Sequence, residues 1–167
     1  MTELLVRKIN QAKWRSTRGL MSGETPADAV TADLRTSDNR LSLWAVPPDD
    51  PPAIDEVVLA MCTSFDALDA VDFIFLEKEK LEHEGIQVDV SPMDIRITKP
   101  KAVHWDAVCL DVIRLGKFAT MVKRTIDSDQ VKRITTSELK NIIRTAIQGN
   151  RLTLTDLKEN VRRKIEK

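Results

Sequence analysis

The most reactive side chains of this sequence lie in the stretch "HWDAVCLDVIRLGKFATMVKRTI", residues 104–126. It combines His104 and Cys109 with two carboxylates, Asp106 and Asp111, on what the apolar spacing predicts to be one long helix. A Cys next to a base can act as a nucleophile, and His residues with carboxylates can bind a metal ion. The first question is therefore whether this stretch is a reactive site or a packing surface.

The spacing of these side chains does not favour catalysis or metal binding. The chain has two His residues, His83 and His104, and neither belongs to a set of ligands at a metal-site spacing. Three clustered carboxylates, Asp66, Asp69 and Asp72, are a pattern that metal-assisted reactions use but that solvated strand ends also show. We predict no catalytic residue, no metal and no cofactor, and the sequence favours a non-enzymatic protein.

The best candidate for a small-ligand site is the loop "STRGLMSGET", residues 16–25. Glycines between a strand and a helix N-terminus let backbone amides approach a phosphate closely. The loop lacks the Lys-Ser/Thr ending of a P-loop, so an ordinary connection is the favoured explanation and the anion site is the alternative. On this alternative the protein is a small nucleotide- or phosphate-handling enzyme, with an anion held by Thr17, Arg18, Gly19, Ser22, Gly23 and Thr25.

Charge is distributed unevenly along the chain, although its net charge is +0. Residues 1–116 carry 13 Lys and Arg against 20 Asp and Glu, whereas residues 117–167 carry 13 against 6. A basic C-terminal region can contact nucleic acid, or the acidic surface of a protein. No aromatic residue follows Phe118 to stack on bases, so a nucleic-acid contact would run through phosphates. The predicted contact residues are Lys140, Arg144, Arg151, Lys158, Arg162, Arg163 and Lys164.

The stretch that holds His104 and Cys109 also carries an apolar stripe. Its apolar residues are spaced alternately three and four apart over three heptads, which is typical of a helix that packs against another helix. The stripe packs either within its own chain or against another chain. Cys62 and Cys109 are predicted to be small buried residues within helices. The predicted interface residues are Trp105, Val108, Val112, Leu115, Ala119, Val122 and Ile126.

Strands and helices alternate in the first hundred residues. The fold class predicted from this pattern is α/β, with α+β as the alternative, and with a small mixed sheet of four or five strands. A continuous apolar run at 71–76 indicates a strand buried on both faces, as in a parallel sheet. Strands are predicted at 3–9, 40–46, 71–76, 86–90 and 95–97, and helices at 24–34, 54–68 and 77–85.

The segment "TKPK", residues 98–101, is the predicted boundary between two parts of the chain. Residues 1–99 are predicted to form the α/β domain. Residues 100–167 are predicted to form a helical C-terminal appendage, in which Thr135 and Glu138 form a capping box. Its helices are expected at about 103–126, about 136–148 and about 154–166.

Composition limits the class of protein. A hydrophobic fraction of 42% and a charged fraction of 31% are typical of a soluble globular chain. The longest run without a charged residue, 57–65, is far shorter than the roughly 20 residues that span a bilayer. We expect a cytoplasmic protein without membrane contact. Its expected role is that of an assembly or regulatory subunit, which uses its C-terminal helices for self-association or for binding a protein partner.

Overall fold

An antiparallel sheet of six strands forms the centre of the fold in the computed structural model, which describes residues 3–16, 19–21, 23–46, 53–92, 97–98 and 100–166. The order across the sheet is β4-β5-β2-β1-β3-β6, and every neighbouring pair is antiparallel. The strands are β1 (Leu4–Ile9), β2 (Leu41–Val46), β3 (Val71–Glu77), β4 (Gln87–Val90), β5 (Val103–Val108) and β6 (Val131–Ile134).

Helices cover both faces of this sheet, so the predicted combination of sheet and helices is confirmed. The predicted mixed sheet of four or five strands is wrong, because the described sheet has six strands and all of its pairs are antiparallel. One face, which we call the α6 face, is covered by α3 (Ala53–Cys62), α6 (Thr136–Gln148) and α7 (Glu159–Glu166). The opposite α5 face is covered by α1 (Gln11–Trp14), α2 (Ala27–Asp33), α4 (Lys78–His83) and α5 (Val112–Asp127). Within the described residues, no helix is long and apolar enough to cross a bilayer.

The alternation of side chains along the strands builds two apolar cores. In β1, Leu5 and Ile9 point to the α5 face, whereas Val6 points to the α6 face. In β3, Phe73 and Ile74 are both fully buried, one on each face. The prediction of a parallel strand at 71–76 is wrong, because a continuous apolar run reports helices on both faces and not the direction of the neighbouring strand.

The predicted long helix over about 103–126 is wrong, because the chain forms a strand and a shorter helix there. Residues 103–108 form β5, which pairs with both β2 and β4. Cys109 then has a φ of 53°, a left-handed backbone that ends the strand. Helix α5 begins only after Asp111, whose side chain accepts a hydrogen bond of 2.7 Å from the Arg114 amide as an N-cap.

The prediction of an all-helical C-terminal region is also wrong, because β5 and β6 are hydrogen-bonded into the central sheet. β6 pairs with β3, and Ile134 lies opposite Val71. The predicted boundary at 99/100 falls between β4 and β5, which pair from Gln87 opposite Val108 to Val90 opposite Trp105. Residues 95 and 96 of the strand predicted at 95–97 lie outside the described residues.

Two helix starts were predicted, with different outcomes. The capping box of α6 is confirmed: Thr135 Oγ1 accepts from the Glu138 amide at 3.2 Å, and Glu138 accepts from the Thr135 amide at 2.7 Å. Helix α2 begins at Ala27 with Pro26 at the N-cap, and no side chain caps it. The helix predicted at 24–34 therefore begins three residues later than expected.

Candidate functional site

The structure divides the predicted interface residues between the interior and the surface. The stripe is continuous in α5 only from Leu115 onward, and there it packs on the α5 face of the sheet. Trp105 lies on β5 and is half-buried, and Val112 is exposed at the start of α5. The buried members are Val108, Ala119, Val122 and Ile126, and the half-buried members are Trp105 and Leu115.

Exposed aliphatic side chains surround the β4 edge of the sheet. Val90 (59% exposed) and Val103 (46% exposed) lie beside Trp105 at one end of β4, on the α5 face. Val112 (87%) and Ile113 (73%) form the first turn of α5. We call these five residues the β4 edge patch.

The first turn of α5 lies near the other end of β4. Arg114, the next residue along the helix, donates from Nε to the Gly85 carbonyl at 3.2 Å, two residues before β4 begins. At the opposite end, Lys78 Nζ lies 4.6 Å from the centroid of the Trp105 ring, a cation–π contact from α4. The patch therefore consists of two apolar groups separated by the length of one short strand.

β4 and β6 are the two edge strands, and their exposed side chains differ in charge. On β4, Gln87 and Asp89 are exposed, and Gln87 Nε2 donates to Asp89 Oδ2 at 3.0 Å. On β6, Lys132 and Arg133 are exposed. No other strand in the described part of the chain pairs with the outer side of β4. Cationic side chains on an edge strand discourage pairing with another strand.

The predicted phosphate-contacting residues mostly bond to their own chain. Lys158 forms an ion pair of 2.7 Å with Asp66, and Lys164 forms one of 3.5 Å with Asp69. Arg144 donates two hydrogen bonds to the Ile165 carbonyl, at 3.1 Å and 2.8 Å. Arg162 and Arg163 both pair with Glu159. Lys140 forms no ion pair with any described residue.

Arg151 makes the most buried contact of this basic set. Its guanidinium donates to both carboxylate oxygens of Glu56, at 2.8 Å and 2.7 Å. These hydrogen bonds lower the pKa of Glu56 below its usual range, and the same contact raises the pKa of Arg151. The basic C-terminal region and the acidic N-terminal part of the chain thus neutralise each other within one molecule at several points.

The clustered carboxylates that suggested metal chemistry each lie beside a cation. Asp66 pairs with Lys158, and Asp69 pairs with Lys164. Asp72 accepts a hydrogen bond of 3.1 Å from Nη1 of Arg133. Within the described residues, no group of three or more His, Cys, Asp or Glu side chains is arranged to hold a metal ion. The geometry of this cluster is that of separate ion pairs.

The predicted anion loop is only partly described. Thr17, Arg18 and Ser22 lie outside the described residues, whereas Gly19 and Gly23 have φ values of 75° and 85°. Thr25 is half-buried. An open cleft of about 870 Å³ lies beside the loop, between α1 and α2. Among its described lining residues are one cation, Lys13, and one carboxylate, Asp28, so the charges of this described part of the lining cancel.

His104 and Asp106 form a buried polar cluster that the helix prediction missed. Both lie on the α6 side of β5, with Nε2 of His104 3.8 Å from Oδ1 of Asp106. Nδ1 of His104 lies 3.2 Å from the Ser91 carbonyl, and Nη1 of Arg40 lies 3.7 Å from Oδ2 of Asp106. The Trp44 ring packs edge-on against the imidazole at 4.9 Å. A His-x-Asp spacing in a strand, where alternate side chains share a face, is the signal that would have found this pair.

At 3.8 Å the contact between His104 and Asp106 is longer than a hydrogen bond, and catalysis also needs a nucleophile within reach of the imidazole. Cys109 lies beyond the end of β5, and no described contact joins it to His104. The prediction that Cys109 is a buried helical residue is wrong, since it is exposed in a turn. Cys62 is buried as predicted, and burial raises the pKa of its thiol to about 12.

A groove of about 520 Å³ separates α4 from the C-terminal half of α5. Its floor includes Leu76 and Met121, and its rim carries Glu79, His83 and Arg124. Both acidic and basic side chains line this groove, so its charge does not select one class of ligand.

Comparison with known proteins finds no family model, no characterised protein and no solved structure that matches this chain.

Proposed function

We propose that this chain is a non-enzymatic, cytoplasmic protein-binding protein, an assembly or regulatory subunit, and that it binds through the β4 edge patch. The clustering of exposed aliphatic side chains carries this proposal. Among the described residues, the large exposed apolar side chains are Met21, Val90, Val103, Val112 and Ile113, and all except Met21 belong to the patch. Single exposed apolar residues are ordinary, whereas a group of them around one edge is typical of an interaction surface.

Burial of these side chains against a partner would supply favourable free energy. Each aliphatic side chain that moves fully out of water contributes about 1.5–3 kcal/mol before the costs of association. Trp105 adds an aromatic side chain of the type enriched at the centre of interfaces, and it is already held by Lys78. The proposed surface retains Trp105 and Val112 of the predicted interface, and it adds Val90 of β4, Val103 of β5 and Ile113 of α5.

Nucleic-acid binding through the C-terminal helices is the alternative. The ion pairs of Lys158 and Lys164 with Asp66 and Asp69 oppose it, because an anionic ligand would compete with carboxylates already in place. Binding of duplex DNA or RNA that weakens with salt would favour this alternative over the proposal.

The test replaces the first turn of α5. Val112→Glu with Ile113→Glu adds two charges to the patch, and the helix should still form because acidic residues are favourable near a helix N-terminus. We expect this variant to lose association, measured by light scattering and by co-purification of protein partners. Met21→Glu is the matched control, since Met21 is 74% exposed outside the patch. The proposal would be contradicted if the wild type, the double variant and the Met21→Glu control all associated equally, at unchanged thermal stability.

A further inference from the structure

We infer that the β4 edge patch binds a second copy of this chain, through antiparallel pairing of β4 with β4 of that copy about a two-fold axis. This inference rests on the proposed function, and it specifies that the protein partner is a second copy of the same chain. The pairing would join the two sheets into one, with the α5 faces of both copies on the same side.

The side chains of β4 select one register for this pairing. Residues that lie opposite each other in an antiparallel pair point to the same face, so the axis passes through a residue and not between two residues. Val88 and Asp89 are the central residues of β4, and an axis through either keeps most of the strand paired. An axis through Asp89 places two carboxylates opposite each other, which is unfavourable. An axis through Val88 places Gln87 opposite Asp89 of the second copy, where the amide donates to the carboxylate as it does within the chain. The Val88 register is therefore the favoured one.

The same register brings the two halves of the patch together. With Val88 on the axis, Val90 of each copy lies opposite Ile86 of the other, next to Gly85. Gly85 accepts a hydrogen bond from Arg114, so this position adjoins the turn of α5 that carries Val112 and Ile113. A two-fold antiparallel pairing therefore brings the apolar group at one end of β4 next to the apolar group at the other end of β4 in the second copy. Symmetry makes this contact occur twice in each dimer.

The other edge of the sheet does not offer this pairing. An antiparallel pair of β6 strands with its axis at Lys132 or Arg133, the two central residues, places that cation opposite the same cation of the second copy. Like charges directly opposite each other destabilise a strand pair. Self-association by strand addition is therefore directed to β4.

The size of the contact indicates a weak dimer. A four-residue strand buries much less than the roughly 800 Å² per partner of a standard stable interface. The aliphatic contacts at both ends of β4 are therefore necessary for association. We expect a monomer–dimer equilibrium that shifts over the micromolar concentration range.

The test introduces a charge at position 87, where the neutral Gln87 is exposed and can be replaced without disturbing the core. Gln87→Lys places a cation opposite Asp89 of the second copy, twice per dimer, and should tighten the dimer by roughly 2- to 30-fold. Gln87→Glu places carboxylates opposite each other and should weaken it by a similar factor. The dissociation constants are measured by sedimentation equilibrium, with Met21→Glu as the control that leaves the constant unchanged.

Several outcomes would overturn the inference. One is a pair of Gln87 variants with the wild-type constant, or with shifts of the opposite sign. Another is Asp89→Asn tightening the dimer, because that result assigns the axis to Asp89. A chain that stays monomeric at all concentrations also overturns it. If the Gln87 variants have no effect but Val112→Glu with Ile113→Glu abolishes binding, this inference fails while the proposed function stands.

Discussion

The Arg151 guanidinium and the Glu56 carboxylate form a two-point contact across 95 residues of sequence. Glu56 lies on α3 and is 8% exposed, and Arg151 lies in the turn that follows α6. The Lys101 amide also donates to Glu56, at 3.4 Å. This carboxylate therefore joins three segments of the chain on the α6 face.

Removal of Arg151 should destabilise the fold, because it leaves the Glu56 carboxylate buried without its principal donor. We expect Arg151→Ala to lower the free energy of unfolding by about 1–3 kcal/mol, below the cost for a fully buried pair because part of Arg151 is in solvent. Urea unfolding measures the loss. Lys140→Ala is the control, with an expected effect within about 0.5 kcal/mol. Equal effects of the two substitutions would show that the contact contributes nothing to stability.

The same contact makes stability depend on pH. The pKa of Glu56 is lowered in the folded state, so folded protein binds a proton there less readily than the unfolded chain, whose value is about 4.5. The stabilisation is complete above the unfolded value and is lost as pH falls through the lowered folded value. We expect Glu56→Gln to flatten the acid side of the stability curve, measured by urea unfolding between about pH 7 and pH 3. A wild-type curve with the same slope as the variant would refute this cause.

The sequence predicted well those elements whose signals are local. Thr135 and Glu138 identified the start of α6, and the alternation or continuity of apolar residues identified β1, β2 and β3. These signals depend on hydrogen bonds and burial within a few residues. The order of strands in the sheet, by contrast, depends on contacts between distant segments, and no local pattern specifies it.

The element with the largest error was β5, because its residues satisfy two periods at once. Trp105 and Val108 fit the spacing of the helix stripe, but Val103, Trp105 and Ala107 also alternate with period two, as a strand requires. Asp111, the N-cap of α5, was the local signal that separates the two elements. The error moved the candidate surface, since the β4 edge patch combines β4, β5 and the first turn of α5, and only the tertiary fold brings them together.

The two cysteines should differ in reactivity in the folded protein. Cys62 is fully buried, and burial raises the pKa of its thiol to about 12, so its thiolate is scarce at neutral pH. Cys109 is exposed. We expect iodoacetamide to add one label per native chain, at Cys109, and two labels after denaturation, both measured by intact mass. Cys109→Ser should remove the native label, and rapid native labelling at Cys62 would contradict the described burial.

The apolar stripe of α5 should divide into residues that stabilise the fold and residues that do not. Ile126 is 1% exposed, and Ile126→Ala removes packed atoms from the core, at an expected cost of about 2–4 kcal/mol in the free energy of unfolding. Val112→Ala should change it by less than about 0.5 kcal/mol, because Val112 is in solvent. Thermal or urea unfolding of dilute monomer compares them. A large cost at Val112 in the monomer would contradict its placement on the surface.

The ion pairs of the C-terminal lysines should suppress binding to nucleic acid. Asp66→Asn with Asp69→Asn removes the partners of Lys158 and Lys164, so these cations become available to phosphates. We expect this variant to bind duplex DNA more tightly than wild type at low salt, and to lose that gain at about 0.15 M salt. Asp28→Asn with Glu79→Gln is the matched control, since it changes net charge equally at exposed sites elsewhere. Fluorescence anisotropy of labelled duplex DNA measures the affinity of the wild type, this variant and the control. An equal gain of affinity in the control would show that net charge alone, rather than release of these lysines, governs binding.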